Sequence, residues 1–186
     1  MSYTFKFAET AAEFEAVRRL NHDVFSAELG QHEPREDGLL IDRFESSSRY
    51  LIAVDEQKLV GMLCLRGSRP FSVEKRLTDV QVLEQLAQPV MEVRLLAVKT
   101  GHREKLALLG LLGELLRVAR AENVGTLVIS GVTSRLDLYR KMGFVDLGPA
   151  VPEGRTAFVR MAVAVRNLPD HVMHGFARYL RRKARA

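Results

Sequence analysis

Three short stretches of this 186-residue chain carry side chains suited to acid–base chemistry in a defined setting. In VMEVRLLAV, Glu92 and Arg94 alternate along a segment apolar enough for a buried strand, so both point to one face. A carboxylate held there either takes up a proton in a reaction or is neutralised by its arginine. In LYRKMGF, Tyr139 stands one helical turn before Gly143, which is placed to stop the helix in a left-handed conformation so that Phe144 re-enters the core. The tyrosine hydroxyl either donates a proton or rests in water while its ring packs. In KTGHREK, a glycine precedes His102 and Arg103 at a predicted helix start, where open amides and the helix dipole favour phosphate. His102 fits a phosphate contact or an ordinary turn.

The other reactive side chains form no recognisable set. His22, His32, His102, His171 and His174 lack the HExxH spacing and paired cysteine ligands of a zinc site, so no metal is expected. Cys64, the single cysteine, lies in the apolar run from Leu59 to Leu65 and is read as a core thiol. The net charge of +5 comes partly from the tail RYLRRKARA. That tail has no interleaved aromatics beyond Tyr179, and the chain shows no zinc-finger or RNA-binding signature, so a solvated basic helix is expected and a nucleic-acid partner is not. No run of about 18 apolar residues is present and the start of the chain is acidic, so a soluble, cytoplasmic protein without a transmembrane segment is expected.

The elements that must hold these residues follow from periodicity. YTFKF alternates as a strand, and Thr10 with Glu13 has capping-box spacing for a helix whose face is Phe14, Val17 and Leu20. RYLIAVDEQKLVGMLCLRG reads as a hairpin turning at Asp55, Glu56 and Gln57. Ser72 is expected to cap a brief helix through Leu86, and Pro89 resets the backbone before the strand from Val90 to Val98. A helix from Arg103 to Glu122, ended by Asn123 and Gly125, should lead to the strand TLVISG as a parallel crossover. Its stripe of Leu106, Leu109, Leu112 and Leu116 is read as core packing rather than an acyl groove. A short helix SRLDLYRKMG, the strand FVDLG, a turn at Pro152 and Gly154, the strand TAFVRMAVAV and a basic helix after Pro169 complete the chain. The fold class expected is α/β, with a mixed central sheet of about six or seven strands flanked by helices. One domain should span residues 1–166, with 167–186 a basic C-terminal helix packed on it or extending from it.

LYRKMGF resembles the motif near the end of GNAT (Gcn5-related N-acetyltransferase) domains, and EVRLLAV followed by KTGHR resembles their core strand and phosphate turn. The resemblance implies a splayed central strand whose backbone, at Leu95, Leu96, Ala97 and Val98, pairs with a pantetheine arm. It also implies a phosphate contact over His102, Arg103, Glu104, Lys105, Leu106 and Ala107, and Tyr139 as the acid that protonates the departing thiolate. Leu106 and Leu108 stand where the family pattern has glycines, which crowds a coenzyme A pyrophosphate. VFSAELG, IDRFES and YLIAVDEQKLVGMLCLR, with Glu92 and Arg94, are similar to the acyl-homoserine-lactone synthase and long-chain N-acyl amino acid synthase branch, over roughly residues 17 to 103.

That branch implies an N-acyltransferase. The donor would be acyl-CoA or an acyl-phosphopantetheine on a carrier protein, and the acceptor a small amine, with an amino acid among the candidates. Glu92 would act as base, most simply through water, and an amide near Leu96 would hold the oxyanion. Arg94 would face the acceptor, and Glu28, Asp42 and Arg43 would face it or order the branch's flexible loop, with surface ion pairs as the alternative for these three. Arg18, Arg19, Lys99, Arg103 and the basic tail would meet an acidic acyl carrier protein. A conventional acetyl-CoA-dependent acetyltransferase and a non-catalytic module on the same fold are the alternative readings.

Overall fold

A computed structural model describes residues 3–102, 106–154 and 156–183. The chain forms two compact units, residues 1–65 with 95–115, and residues 66–94 with 116–186. The strand β4, Val90–Val98, passes from one unit into the other.

In the first unit, β1 (Thr4–Phe7) pairs antiparallel with β2 (Arg49–Asp55), which forms a hairpin with β3 (Lys58–Arg66). The hairpin turns through Glu56 and Gln57, whose φ values of 47° and 65° give the reversed turn that matches strand twist. Helix α1 (Ala11–Asn21) starts on the expected capping box, in which Thr10 accepts from the Glu13 N–H and Glu13 accepts from the Thr10 N–H. It runs on as a π-helix, His22–Glu28. Val17, Leu20 and Val24 bury themselves on Tyr50, Ile52, Met62 and Cys64, the side chains of one face of the hairpin. Helix α2 (Leu106–Ala121) uses the other face, where Gly61 admits the Leu111 side chain.

The leucine stripe is corrected at Leu106 and Leu109, while Leu116 is buried as expected. Leu106 and Leu109 are 49% and 62% exposed, while Ala107 and Leu111 are wholly buried. Leucines occur nearly all round this helix, so periodicity establishes the helix and leaves its phase open.

In the second unit, the start of β4 pairs in parallel with β5 (Thr126–Val132), the crossover expected, and β5 pairs antiparallel with β8 (Thr156–Ala164). Two short strands, β6 (Val145–Asp146) and β7 (Val151–Glu153), share the outer edge of β8. The strand order β1-β2-β3-β4-β5-β8-β6, with β7 on β8, makes eight strands where about six or seven were expected. The addition is β7, in which Pro152 is tolerated because the strand lies at an edge. Helix α3 (Leu136–Lys141) precedes β6, and α4 (Asp170–Lys183) packs Phe176 under the Arg120 guanidinium at 5.3 Å.

The expected helix from Ser72 to Leu86 is instead two 3-10 turns, Ser72–Arg76 and Val80–Leu83. Glu74 caps the first by accepting from the Phe71 N–H at 2.7 Å, because Ser72 is engaged elsewhere. Gly125, read as part of a helix stop, serves close approach: a Cβ there would lie 2.4 Å from the Ala87 carbonyl oxygen. Gly125→Ala is therefore expected to lower unfolding free energy by about 1–3 kcal/mol. Gly175→Ala, in open space on α4, should raise it by up to about 1 kcal/mol. Urea denaturation of the two variants checks both signs.

Candidate active site

The backbone of β4 sets the geometry. Its ladder to β5 runs through Val90↔Thr126, Met91↔Leu127 and Glu92↔Val128 and stops there, although β5 continues to Val132 along β8. Three residues later Leu95 has φ of +51°, a left-handed conformation that costs a branched, bulky residue about 1–3 kcal/mol. The kink breaks the alternation of the strand: Leu96 turns outward, 40% exposed, and Ala97 and Val98 are buried again. Of the four residues expected to carry the pantetheine contact, Leu95 and Leu96 thus lie at the irregularity itself.

At the C-terminal end of β5, the Tyr139 ring lies against Gly131, where a Cβ would come within 2.8 Å of it. The Val132 backbone N–H lies beside the hydroxyl and favours its ionised form. Burial raises this hydroxyl above the ordinary tyrosine value, against the opposing influence of the Arg135 charge and that N–H, so the phenol keeps its proton through the neutral range. Gly143 takes φ of +92° and Phe144 is buried, as the stop-and-return motif requires.

Glu92 is completely enclosed. Its side chain points to the same strand face as Val90, under the segment carrying Phe71 and Val73. Oε2 accepts from the Ser72 N–H at 2.8 Å, and Oε1 accepts from the Val73 N–H at 2.9 Å and the Ser72 hydroxyl at 2.5 Å. Arg94 Nε lies 3.9 Å from the carboxylate and donates to Ser72 Oγ at 3.1 Å. Spacing along β4 indicates the pairing of Glu92 with Arg94; it gives no hint of Ser72, a partner twenty residues away.

The residues expected at the acceptor lie in the first unit, Arg94 apart. Asp42 accepts from the buried Tyr50 hydroxyl at 3.1 Å, which burial above all, then the neighbouring Cys64 and Asp42, pushes far above its ordinary value. Arg43 is exposed, its guanidinium over the Phe44 ring, and Glu28 is exposed at the end of the π-helix. Arg18 forms a two-pronged pair with Glu45, and Arg19 pairs with Glu15, so Glu45 and Tyr50 join this polar network without a motif to announce them. Asn21 Oδ1 and Ser26 Oγ, one π-turn apart and 3% and 2% exposed, have no hydrogen-bond partner among the described residues. An open cleft of about 350 Å³ lies beside Arg18 and Glu45.

His102 hydrogen-bonds the Tyr3 hydroxyl through Nδ1 at 3.2 Å, with Asp55 Oδ2 3.9 Å away. Arg103, Glu104 and Lys105 lie outside the described residues; beyond them, Leu106 is exposed and Ala107 buried. No cluster of three metal-ligating side chains occurs among the described residues. No helix described is long and apolar enough to cross a membrane.

A family model described as an acetyltransferase (GNAT) domain matches residues 20–113. Among solved structures, the chain is similar to BjaI, a coenzyme A-dependent acyl-homoserine lactone synthase, with a TM-score of 0.75 at 18% identity over 96% of this chain and 90% of that one. It is similar to FeeM, an N-acyl amino acid synthase from uncultured soil microbes, with a TM-score of 0.72 at 16% identity over 89% and 92%. An N-acetyltransferase from Staphylococcus aureus Mu50 gives 0.62 at 14% identity over 89% and 99%. No curated protein matches the sequence.

Gly131 is the close support of the tyrosine. Gly131→Ala should displace the ring, lower stability by about 1–3 kcal/mol and bring the Tyr139 titration back toward 10 as burial is lost. Urea denaturation and carbon-13 NMR of labelled tyrosine would register both changes.

Proposed function

The chain belongs to the GNAT acetyltransferase family, and on that premise we propose that it is an N-acyltransferase that moves an acyl group from a pantetheine thioester to a small amine. The observation that carries this reading is the end of the β4–β5 ladder at Glu92 together with the left-handed kink at Leu95. A β-strand edge released from its neighbour offers amides and carbonyls that a pantetheine arm, itself a chain of amides, takes up as a strand would. The arm would follow β4 over Leu95, Leu96, Ala97 and Val98, and an amide near Leu96 would hold the oxyanion.

In the reaction, the amine attacks the thioester carbonyl, Glu92 takes the proton it sheds, and Tyr139 protonates the thiolate as the C–S bond breaks. A buried tyrosine that keeps its proton at neutral pH suits that last role. Asp42, Glu28, Arg43 and Arg94 are assigned to the acceptor, Asp42 first because it is anchored by the buried Tyr50 hydroxyl. The likeness to an N-acyl amino acid synthase and to acyl-homoserine lactone synthases supports an amino acid or a derivative of one as that acceptor.

The donor is acyl-CoA or an acyl carrier protein. Leu106, projecting at the start of α2, favours a donor that does not need a glycine-lined pyrophosphate cradle. Exposed Lys99, Arg178, Arg181 and Lys183 supply positive charge for an acidic carrier. The acetyl-CoA-dependent reading rests on the family description and on the neighbouring N-acetyltransferases. We place the enzyme in the cytoplasm, where these thioesters are made.

Thermal shift separates the donors: octanoyl-coenzyme A should raise Tm well above the effect of acetyl-coenzyme A. Tyr139→Phe should reduce thioester turnover by about 100-fold. Equal shifts from both thioesters would favour the acetyltransferase reading. Undiminished turnover in Tyr139→Phe would remove the tyrosine from the mechanism.

A further inference from the structure

We propose that Ser72 is the proton relay of this site, its hydroxyl carrying the proton of the attacking amine to Glu92. This rests on the reading of Glu92 as the base of an N-acyltransferase. Glu92 has no accessible surface, so an amine cannot touch it and bulk water cannot reach it, whereas Ser72 keeps 9% of its surface. Every group seen against the carboxylate can therefore be asked whether it moves protons. The Ser72 and Val73 backbone N–H groups, at 2.8 and 2.9 Å, hold the anion but do not release protons under ordinary conditions. Arg94, at 3.9 Å, stays protonated in proteins. The Ser72 hydroxyl, 2.5 Å from Oε1, is both donor and acceptor.

The geometry also aligns that hydroxyl. Arg94 Nε donates to Ser72 Oγ at 3.1 Å and occupies one lone pair, which turns the hydroxyl proton toward Glu92. The second lone pair can accept a hydrogen from an incoming amine. Arg94 thereby acts as a positioning residue for Ser72, and its charge offsets that of the buried carboxylate.

The step balances. As the amine nitrogen forms its bond to the thioester carbon, its proton passes to Ser72 Oγ while the Ser72 proton passes to Glu92 Oε1, leaving serine unchanged and Glu92 neutral. Collapse of the tetrahedral intermediate breaks the C–S bond, and the thiolate takes the Tyr139 proton. The Glu92 proton returns through Ser72 to solvent, and the tyrosinate is reprotonated from solvent.

The test uses the full chain with octanoyl-coenzyme A as donor and a mixture of L-amino acids as acceptor, with slow hydrolysis of the same thioester, water replacing the amine, as a second readout. Ser72→Ala should reduce kcat by about 30-fold or more with the KM for the thioester little changed, and Ser72→Thr, which keeps a hydroxyl, should recover most of it. The wild-type rate should depend on solvent deuterium as two protons in flight require, and Ser72→Ala as one. If Ser72→Ala stays within about threefold of wild type while Glu92→Gln loses about 30-fold, Glu92 is the base and the relay is wrong. If neither variant loses turnover, the assignment of Glu92 as base falls with it. Equal losses in Ser72→Ala and Ser72→Thr, matched by equal falls in Tm, would make Ser72 a structural residue only. Absence of thioester cleavage by the wild-type chain in both assays would overturn the acyltransferase reading and the relay together.

Discussion

In the second unit a carboxylate, that of Glu92, is wholly buried. A carboxylate removed from water costs several kcal/mol unless it is hydrogen-bonded and compensated, and Glu92 receives three hydrogen bonds from two consecutive residues, with a guanidinium beside it. Satisfying it pins the segment after Pro70 onto β4, where Phe71 and Val73 close over Val90 and Val128. The same residue marks the last register of the β4–β5 ladder. The interaction that completes the core is thus adjacent to the end of that ladder.

Much of the scaffold is local and was readable as such. Thr10 and Glu13 announce the start of α1, the polar triplet at Asp55 turns the hairpin, and Gly143 with Phe144 ends α3, since each signal acts within a few residues of itself. The place of Tyr139, one turn before that glycine, is set by the same local signal. Where sequence reading went astray, the deciding partner was distant. Ser72 looks like a helix cap until Glu92, twenty residues on, claims its hydroxyl and its N–H. Gly125 looks like a helix stop until the Ala87 carbonyl is brought against it. The leucines of α2 could not reveal which of them face outward, because nearly every phase of that helix is apolar.

The polar network of the first unit follows the same rule. Asp42 stands in a recognisable motif, yet what fixes it is the hydroxyl of Tyr50, from the middle of an apolar strand. Asn21 and Ser26 are buried by a π-helical turn that no periodicity predicts, and Asn21 Oδ1 and Ser26 Oγ have no hydrogen-bond partner among the described residues. Irregular turns of this kind cost regular hydrogen bonding and recur where side chains must be aimed. The left-handed Leu95 is the strand counterpart, an irregularity partly packed on the cluster under α1 that leaves no trace in the alternation of residues before it.

The central claim is that β4, beyond Glu92, grips a pantetheine arm and delivers its thioester to Tyr139. A crystal structure of the full chain with a non-cleavable thioether analogue of octanoyl-coenzyme A tests it directly. The account predicts pantetheine amides hydrogen-bonded to the β4 backbone around Leu95 and Leu96, with the sulfur within about 4 Å of the Tyr139 hydroxyl. A β4–β5 ladder continuing past Glu92↔Val128, with the analogue bound elsewhere, would contradict it.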